Sequence, residues 1–243
     1  MAEITDRPAF YALPPGGWRD YWSLLHPPYT LWHLSYVVIG ACLAPALELR
    51  WLAETLLAFF LAMGLAAHAL DELNGRPLRT RIPDGMLRAI AVVGLAGAIG
   101  LGVHGTLEVS PWLWAFIGAG AFLVVAYNLE LFGGAFHSDL WFALAWGAFP
   151  ALTAYFVQTA TVRVGAVFAA GACAALSAAQ RVLSTPVRRL RRKVVTVSGE
   201  LETTDGVREP IDASTLRAAP EGALRWLCLA VPLVAAAMLV PRL

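Results

Sequence analysis

Two acidic side chains and then several arginines occupy a short stretch that follows an apolar run. Asp71 and Glu72 come first, and the polar residues after them are Asn74, Arg76, Arg79 and Arg81. Carboxylates hold Mg²⁺ through a few direct ligands, while arginine neutralises phosphate oxygens. The stretch therefore predicts a site for a divalent cation and a diphosphate group, with Asp71 and Glu72 as the catalytic and metal-binding residues.

Two later stretches carry further polar residues between apolar runs. One is Tyr127-Asn128 with Asp139 beyond it, and the other is Gln180-Arg181, which a basic run follows. His68 lies one helical turn before Asp71, where its imidazole could ligate a cation or hydrogen-bond a substrate. The predicted substrate-binding residues come from all three stretches: His68, Asn74, Arg76, Arg79, Arg81, Tyr127, Asn128, Asp139 and Arg181.

Each of these features also has an ordinary structural interpretation. Asp71 and Glu72 could form the solvated end of a helix, paired with Arg76 or Arg79. The basic run from Arg188 to Lys193 is typical of segments that fix topology or contact anionic lipids, and direct phosphate binding is the alternative. For each of these features the sequence leaves both the structural and the functional interpretation open.

The composition indicates what kind of scaffold carries these stretches. Of the 243 residues, 58% are hydrophobic and 14% are charged, against about 25% charged in an average soluble domain. Apolar runs recur at the length that a membrane-spanning helix needs. We therefore expect an all-α, polytopic transmembrane bundle of about seven helices, as one domain over residues 1–243, with helices near residues 31–47, 51–70, 89–107, 111–129, 140–158, 162–180 and 223–240.

The distribution of Lys and Arg predicts how this bundle is oriented. If the N-terminus is cytoplasmic, only Arg50, Arg163 and Arg242 of the 18 basic residues fall on the outer side. Positively charged loops remain cytoplasmic. We therefore expect a multi-pass protein of the inner cell membrane with its N-terminus inside and its C-terminus outside. The net charge of +1 does not favour nucleic acid as a partner.

One long polar stretch interrupts the apolar pattern. Residues 184–221 begin with the basic run and continue with β-branched residues around Ser198-Gly199 and Asp205-Gly206. Such pairs are turn signals. The stretch is predicted to be a cytoplasmic insert that contains a short hairpin.

Several segments together resemble a known family. His26-Pro-Pro-Tyr-Thr-Leu, with Gly40 in the helix after it, resembles the opening of the UbiA superfamily of intramembrane prenyltransferases. The segment Asp71–Arg81, with its Arg76-Pro-Leu, resembles that superfamily's first aspartate-rich motif. A third set of residues follows the order found in its menaquinone-pathway branch: Ser138, Asp139, Gly147, Tyr155, Val157, Gln158 and Thr159.

This resemblance implies a helical bundle with a central cavity, in which Mg²⁺ and a polyprenyl diphosphate bind. It implies a divergent transferase that moves a prenyl group, with membrane lipid and an isoprenoid or other lipid-soluble diphosphate as its partners. A homo-oligomer is a further possibility that it leaves open.

The chain also departs from the family pattern. The second aspartate motif is expected after the sixth helix, but residues 177–188 contain no acidic side chain. Arginine can replace metal charge beside a phosphate, so catalysis with one cation or none is physically possible. The alternative hypothesis is a protein that kept the fold, lost the prenyl chemistry, and binds a lipid, a quinone or a partner protein.

Overall fold

A computed structural model describes residues 7–243; the first six residues, to which the predicted cytoplasmic N-terminus belongs, lie outside this part of the chain. Within residues 7–243 the chain forms eight α-helices and one antiparallel pair of strands. Their bounds are α1 Trp18–Leu24, α2 Pro27–Cys42, α3 Leu49–Leu73, α4 Asp84–Glu108, α5 Leu113–Asn128, α6 Asp139–Thr159, α7 Val164–Arg192, β1 Gly199–Glu202, β2 Arg208–Ile211 and α8 Ala213–Leu239.

The long helices confirm the predicted membrane bundle. Helices α3, α4, α6, α7 and α8 are long and apolar enough to cross a membrane, and α5 is a shorter apolar helix. A helix satisfies its own backbone hydrogen bonds, as a segment in hydrocarbon must. Each of the seven predicted segments coincides with one of the helices α2 to α8, and the chain is a multi-pass membrane protein.

Helix α2 lies at the centre of the bundle. Two prolines occupy its first turn, where a missing N–H costs nothing. It packs against α6 on one side and α8 on the other. Its side chains Trp32 and Tyr36 are fully buried, and the Trp32 indole donates a hydrogen bond to the Tyr36 hydroxyl. The polar groups of these two buried side chains are thus hydrogen-bonded to each other inside the protein.

Successive helices run in opposite directions, so every second loop lies at the same end of the bundle. The charged loops lie at one end, which we call the basic end. It comprises residues 74–83, 129–138 and 193–212, together with the segment before α2. At the opposite end the Glu48 amide donates to Gln158 Oε1 at 2.8 Å, and Arg242 donates to the Ala44 carbonyl. The basic end is where the predicted site residues lie.

Residues 184–221 differ in part from the predicted insert. Helix α7 continues to Arg192 and α8 begins at Ala213, so only the middle of the stretch leaves the bundle. The strands β1 and β2 pair there as an antiparallel hairpin. The Asp212 carboxylate caps α8, and hydrogen bonds from the Ser214 hydroxyl and from Thr215 lower the pKa of Asp212 to about 2.

A buried ion pair joins α7 to α8 beneath this hairpin. Arg191 Nη2 lies 2.6 Å from Glu221 Oε2, and both side chains are buried. Arg225, one turn along α8, donates to the other oxygen of Glu221 at 2.8 Å. Arg191 also donates to the Arg7 carbonyl at 3.2 Å, which fixes the start of the described chain at the basic end.

Glycine allows two of the closest helix contacts. A Cβ added to Gly40 on α2 would lie 2.0 Å from the Ala151 carbonyl oxygen on α6. A Cβ on Gly147 would lie 2.6 Å from the Cys173 carbonyl oxygen on α7. Both obstacles are backbone atoms, which cannot move aside without shifting a helix. Small residues at such contacts are what hold membrane helices closely together.

We expect the substitution Gly40→Ala to lower the free energy of unfolding by about 2 kcal/mol or more, because the added methyl group forces α2 and α6 apart. The control is Gly171→Ala on α7, where an added Cβ meets no atom within 4 Å. Thermal unfolding of both variants in the same detergent tests this. Equal midpoints for the two variants would contradict the close approach.

Candidate functional site

A polar cavity of about 780 Å³ opens among α2, α3, α5, α6 and α7 at the basic end. Two of its walls come from π-helical turns, at Phe60–Ala67 in α3 and Leu144–Ala148 in α6. The π-helix is wider than the α-helix and is frequent at functional sites. Met63 and Ala67 of the first turn and Trp146 of the second line the cavity.

The cavity brings together most of the side chains that the sequence singled out. Those that line it are His68, Asp71, Asn74, Arg76, Arg79, Tyr127, Asn128 and Arg181. The structure places the other three, Glu72, Arg81 and Asp139, outside the lining. Their positions follow from hydrogen bonds that hold the loops around the cavity.

Glu72 is buried, with none of its surface exposed, and it holds the loop after α3 rather than the cavity wall. Its carboxylate accepts hydrogen bonds from the Leu78 amide at 2.9 Å, the Thr80 amide at 2.8 Å and the Thr80 hydroxyl at 2.9 Å. All of these donors belong to residues 78–80. The side chain predicted as a second metal ligand is therefore fully engaged in shaping the loop.

The arginines of this loop have separate positions. Arg76 lines the cavity, donates to the Thr80 carbonyl at 3.3 Å and the Ile82 carbonyl at 2.6 Å, and pairs with Asp84 at the start of α4. Arg79 lines the cavity near the end of α7. Arg81 is exposed outside it, with its amide bonded to Asp20 at 3.1 Å.

Asp139 acts on the cavity through its partner Arg181. Its carboxylate accepts a hydrogen bond from Arg181 Nε at 2.8 Å, while most of Asp139 faces outward. The Arg181 guanidinium lies over the ring of Phe142, 5.3 Å from its centre. The ion pair and the ring contact together hold the Arg181 guanidinium in one orientation in the cavity wall.

Asn128 and Tyr127 complete the wall on α5. The Asn74 side chain donates to the Asn128 carbonyl at 3.3 Å, which joins the loop after α3 to the end of α5. The Tyr127 ring stacks on His137 with 4.5 Å between ring centres and packs edge-on against Trp146. The wall here is aromatic and is held by backbone contacts.

The basic face of α7 belongs to the site, although Arg188 and Arg192 were not among the predicted site residues. Arg188 and Arg192 line the cavity, whereas the sequence favoured a topology signal or lipid contact for their run over direct phosphate binding. The signal was present in the spacing, since Arg181, Arg188 and Arg192 are seven and four residues apart and share one helix face. Asp71 lies within electrostatic reach of Arg188 and Arg192.

A histidine pair that the sequence did not single out lies beside Asp71. The rings of His26 and His68 stack with 4.2 Å between their centres, and the Tyr11 hydroxyl is 2.8 Å from His26 Nδ1. Burial, and then the neighbouring His68, lower the pKa of His26, while burial raises the pKa of Tyr11. His26 Nε2 is buried without a hydrogen-bond partner in residues 7–243.

Backbone carbonyls of the π-helical turns orient two more imidazoles. His68 Nδ1 lies 3.1 Å from the Gly64 carbonyl, and His33 Nδ1 lies 2.8 Å from the Trp146 carbonyl. A carbonyl can only accept, so in each neutral ring Nδ1 carries the proton and Nε2 keeps its lone pair. The cavity therefore contains hydrogen-bond acceptors as well as cations.

The donors present fit a metal centre poorly. Only two acidic residues, Asp71 and Glu130, are among the cavity-lining residues in the described part of the chain, against seven Arg and Lys side chains. No group of three His, Cys, Asp or Glu residues within 7–243 is arranged to hold a metal ion. The predicted Mg²⁺ would need carboxylates, and the cavity offers mainly positive charge.

A second, apolar cavity of about 130 Å³ adjoins the polar one among α3, α4, α5 and α6. Met63 and Trp146 line both. Phe59, Phe116 and Phe149 form much of the apolar wall. A molecule with a charged head and a hydrocarbon tail would meet a matching environment at each end.

Comparison with known proteins gives one partial match. The chain is 31% identical over 107 aligned residues to a protein named protoheme IX farnesyltransferase from Alkalilimnicola ehrlichii. The aligned part covers 39% of this chain and 35% of the relative, so the chain spans about a third of that protein's length. No family model matches the chain, and no solved structure matches it significantly. The match supports the resemblance to the UbiA superfamily at most, and the menaquinone-pathway branch stays a prediction.

We expect Glu72→Ala to lower the free energy of unfolding by about 3 kcal/mol, because it breaks a buried hydrogen-bond network and leaves two amides without an acceptor. Glu108→Ala is the matched control, since Glu108 is exposed at the opposite end of the bundle. Thermal unfolding and limited proteolysis of residues 74–83 measure the effect. A Glu72→Ala protein as stable as the control would show that the carboxylate does not hold the loop.

Proposed function

We propose that this protein is a membrane-embedded transferase that binds an isoprenoid or other lipid-soluble diphosphate in its basic cavity and transfers the prenyl group. One observation carries the proposal: Arg188 and Arg192 line the cavity beside Asp71, and neither forms an ion pair within residues 7–243. Unpaired charge is expensive inside a membrane bundle and marks a functional site by default. A diphosphate is an anion that would neutralise it.

The cavity residues supply what prenyl transfer requires. The bond between the prenyl C1 carbon and the diphosphate oxygen breaks, and the arginines neutralise the charge that the diphosphate carries away. The aromatic rings of Tyr11, Tyr29 and Tyr127 lie in the cavity wall. Rings of this kind stabilise a developing allylic cation through their π-electrons.

Asp71 is the carboxylate best placed to take part in the second half of the reaction. An acceptor that attacks C1 through oxygen or carbon forms the new bond and must lose a proton. Asp71 lies in the cavity within reach of the arginines that would hold the diphosphate. We assign it the role of proton acceptor.

The apolar cavity and the partial match support an isoprenoid donor. The hydrocarbon tail of such a donor would continue past Met63 and Trp146 into the apolar cavity. The relative's name refers to a farnesyl group, which motivates farnesyl diphosphate as the first donor to test. The menaquinone-like order of residues 138–159 favours an aromatic acceptor.

We expect purified protein in mild detergent to release pyrophosphate from farnesyl diphosphate when a membrane lipid extract supplies acceptors. Asp71→Asn should lower this rate by about 100-fold or more, because a general base has been removed, while native mass spectrometry still detects the bound donor. Asp205→Asn in the hairpin is the control and should leave the rate unchanged.

Other outcomes of this assay decide against parts of the proposal. An Asp71→Asn rate equal to the wild-type rate would show that Asp71 is not the base. A wild-type protein that retains a neutral lipid but binds no diphosphate would favour the alternative, a lipid- or quinone-binding protein without prenyl chemistry.

We further propose that the basic end faces the cytoplasm of the inner membrane, because positively charged loops are retained there. In a variant whose three cysteines are replaced by alanine, Thr161→Cys should react with an impermeant maleimide on intact cells. Asp205→Cys should react only after the cells are permeabilised. The reverse labelling pattern would overturn this orientation.

A further inference from the structure

The charges around the polar cavity disagree with the Mg²⁺ site that the resemblance implies. Mg²⁺ binds through carboxylates and keeps several waters. Glu72 is engaged by amides of residues 78–80, which leaves Asp71 and Glu130 as the acidic side chains of the described cavity wall. A dication placed near Asp71 would also be repelled by the arginines of α7.

The arginines of α7 instead form a site for an anion. Arg188 lies close enough to Arg181 and Arg192 to interact with both positive charges, and it is half-buried in the cavity wall. Within residues 7–243 its guanidinium forms one hydrogen bond, which it donates to the Thr185 hydroxyl at 3.4 Å. Arg181 is paired with Asp139, whereas Arg188 and Arg192 form no ion pair within residues 7–243. Like charges held close together are costly without a counter-charge, so the cluster favours binding of a multivalent anion.

The surrounding contacts aim these side chains rather than neutralise them. Arg192 Nε donates to the Pro8 carbonyl at 3.1 Å, and Arg188 Nη2 donates to the Thr185 hydroxyl. Arg181 is the exception, because its Nε pairs with Asp139. Each guanidinium carries five N–H donors, so most of the donors of Arg188 and Arg192 remain for phosphate oxygens.

We infer that Arg188 and Arg192, at the level where the resembled family carries its second aspartate motif, bind the diphosphate of the substrate directly and without Mg²⁺. This inference rests on the proposed function, because it takes the diphosphate as the natural ligand. It goes beyond that proposal in naming Arg188 and Arg192 as the direct ligands of the diphosphate and in making its binding independent of Mg²⁺.

Calorimetric titration with inorganic pyrophosphate, in EDTA and then in excess Mg²⁺, tests the inference. We expect binding in EDTA, and binding that is equal or weaker with Mg²⁺, because the metal complexes the free anion. Arg188→Gln and Arg192→Gln should each weaken the affinity about 30-fold or more, the usual effect of removing one partner of a buried charge pair. Arg88→Gln, which removes an exposed charge on α4 outside the cavity, should have no such effect.

Folding and specificity need their own controls. Arg188→Lys keeps the charge but not the planar fork, so it should bind pyrophosphate more weakly than wild type and more tightly than Arg188→Gln. Thermal unfolding verifies that every variant is folded. Equal weakening by Arg88→Gln would show general charge attraction and would overturn the inference.

The remaining outcomes separate this inference from the proposed function. Pyrophosphate or farnesyl diphosphate binding that requires Mg²⁺, with Arg188→Gln unaffected, would overturn the arginine site and leave the transferase proposal standing. No binding of either ligand, with or without Mg²⁺, would overturn both.

Discussion

A charged group is costly in or beside hydrocarbon unless it finds a partner, and this constraint arranges the basic end of the bundle. Glu72 is buried and saturated by the loop that follows it. Arg191 and Glu221 are buried as a pair that joins α7 to α8. Because these charges are satisfied internally, they act as fixed points of the structure. Arg188 and Arg192 form no ion pair within residues 7–243, and both face the polar cavity.

The shape of that cavity depends on two irregular turns. The π-helical segments of α3 and α6 widen their helices at the level where Met63 and Trp146 line both the polar and the apolar cavity. The carbonyls of Gly64 and Trp146 in these turns orient His68 and His33. The irregular backbone is tolerated because it lies inside protein rather than against lipid. The same turns therefore open the cavity and direct its imidazoles.

Helix α7 concentrates the difference between this chain and the family that it resembles. Where that resemblance leads one to expect acidic side chains, the helix carries arginines at positions 181, 188 and 192 on one face. A carboxylate cluster reaches a diphosphate through a bridging dication, whereas guanidinium groups reach it directly. Both arrangements place positive charge on the leaving group, so the loss of acidic residues on α7 is compatible with retention of the same ligand.

The sequence by itself determined the apolar helices α2 to α8, the end of the bundle at which polar residues collect, and several polar side chains of the cavity wall. It could do so because length, hydropathy and spacing along one helix are local properties. Only the tertiary structure decided that Asp71 faces the cavity while its neighbour Glu72 faces a loop, since adjacent residues point about 100° apart on a helix. It likewise decided that Tyr11 and His26 meet His68, and that the run after Arg181 continues as helix instead of leaving the bundle. These contacts join segments that are far apart in the chain. A local sequence pattern cannot predict which side chains the packing of such segments brings together.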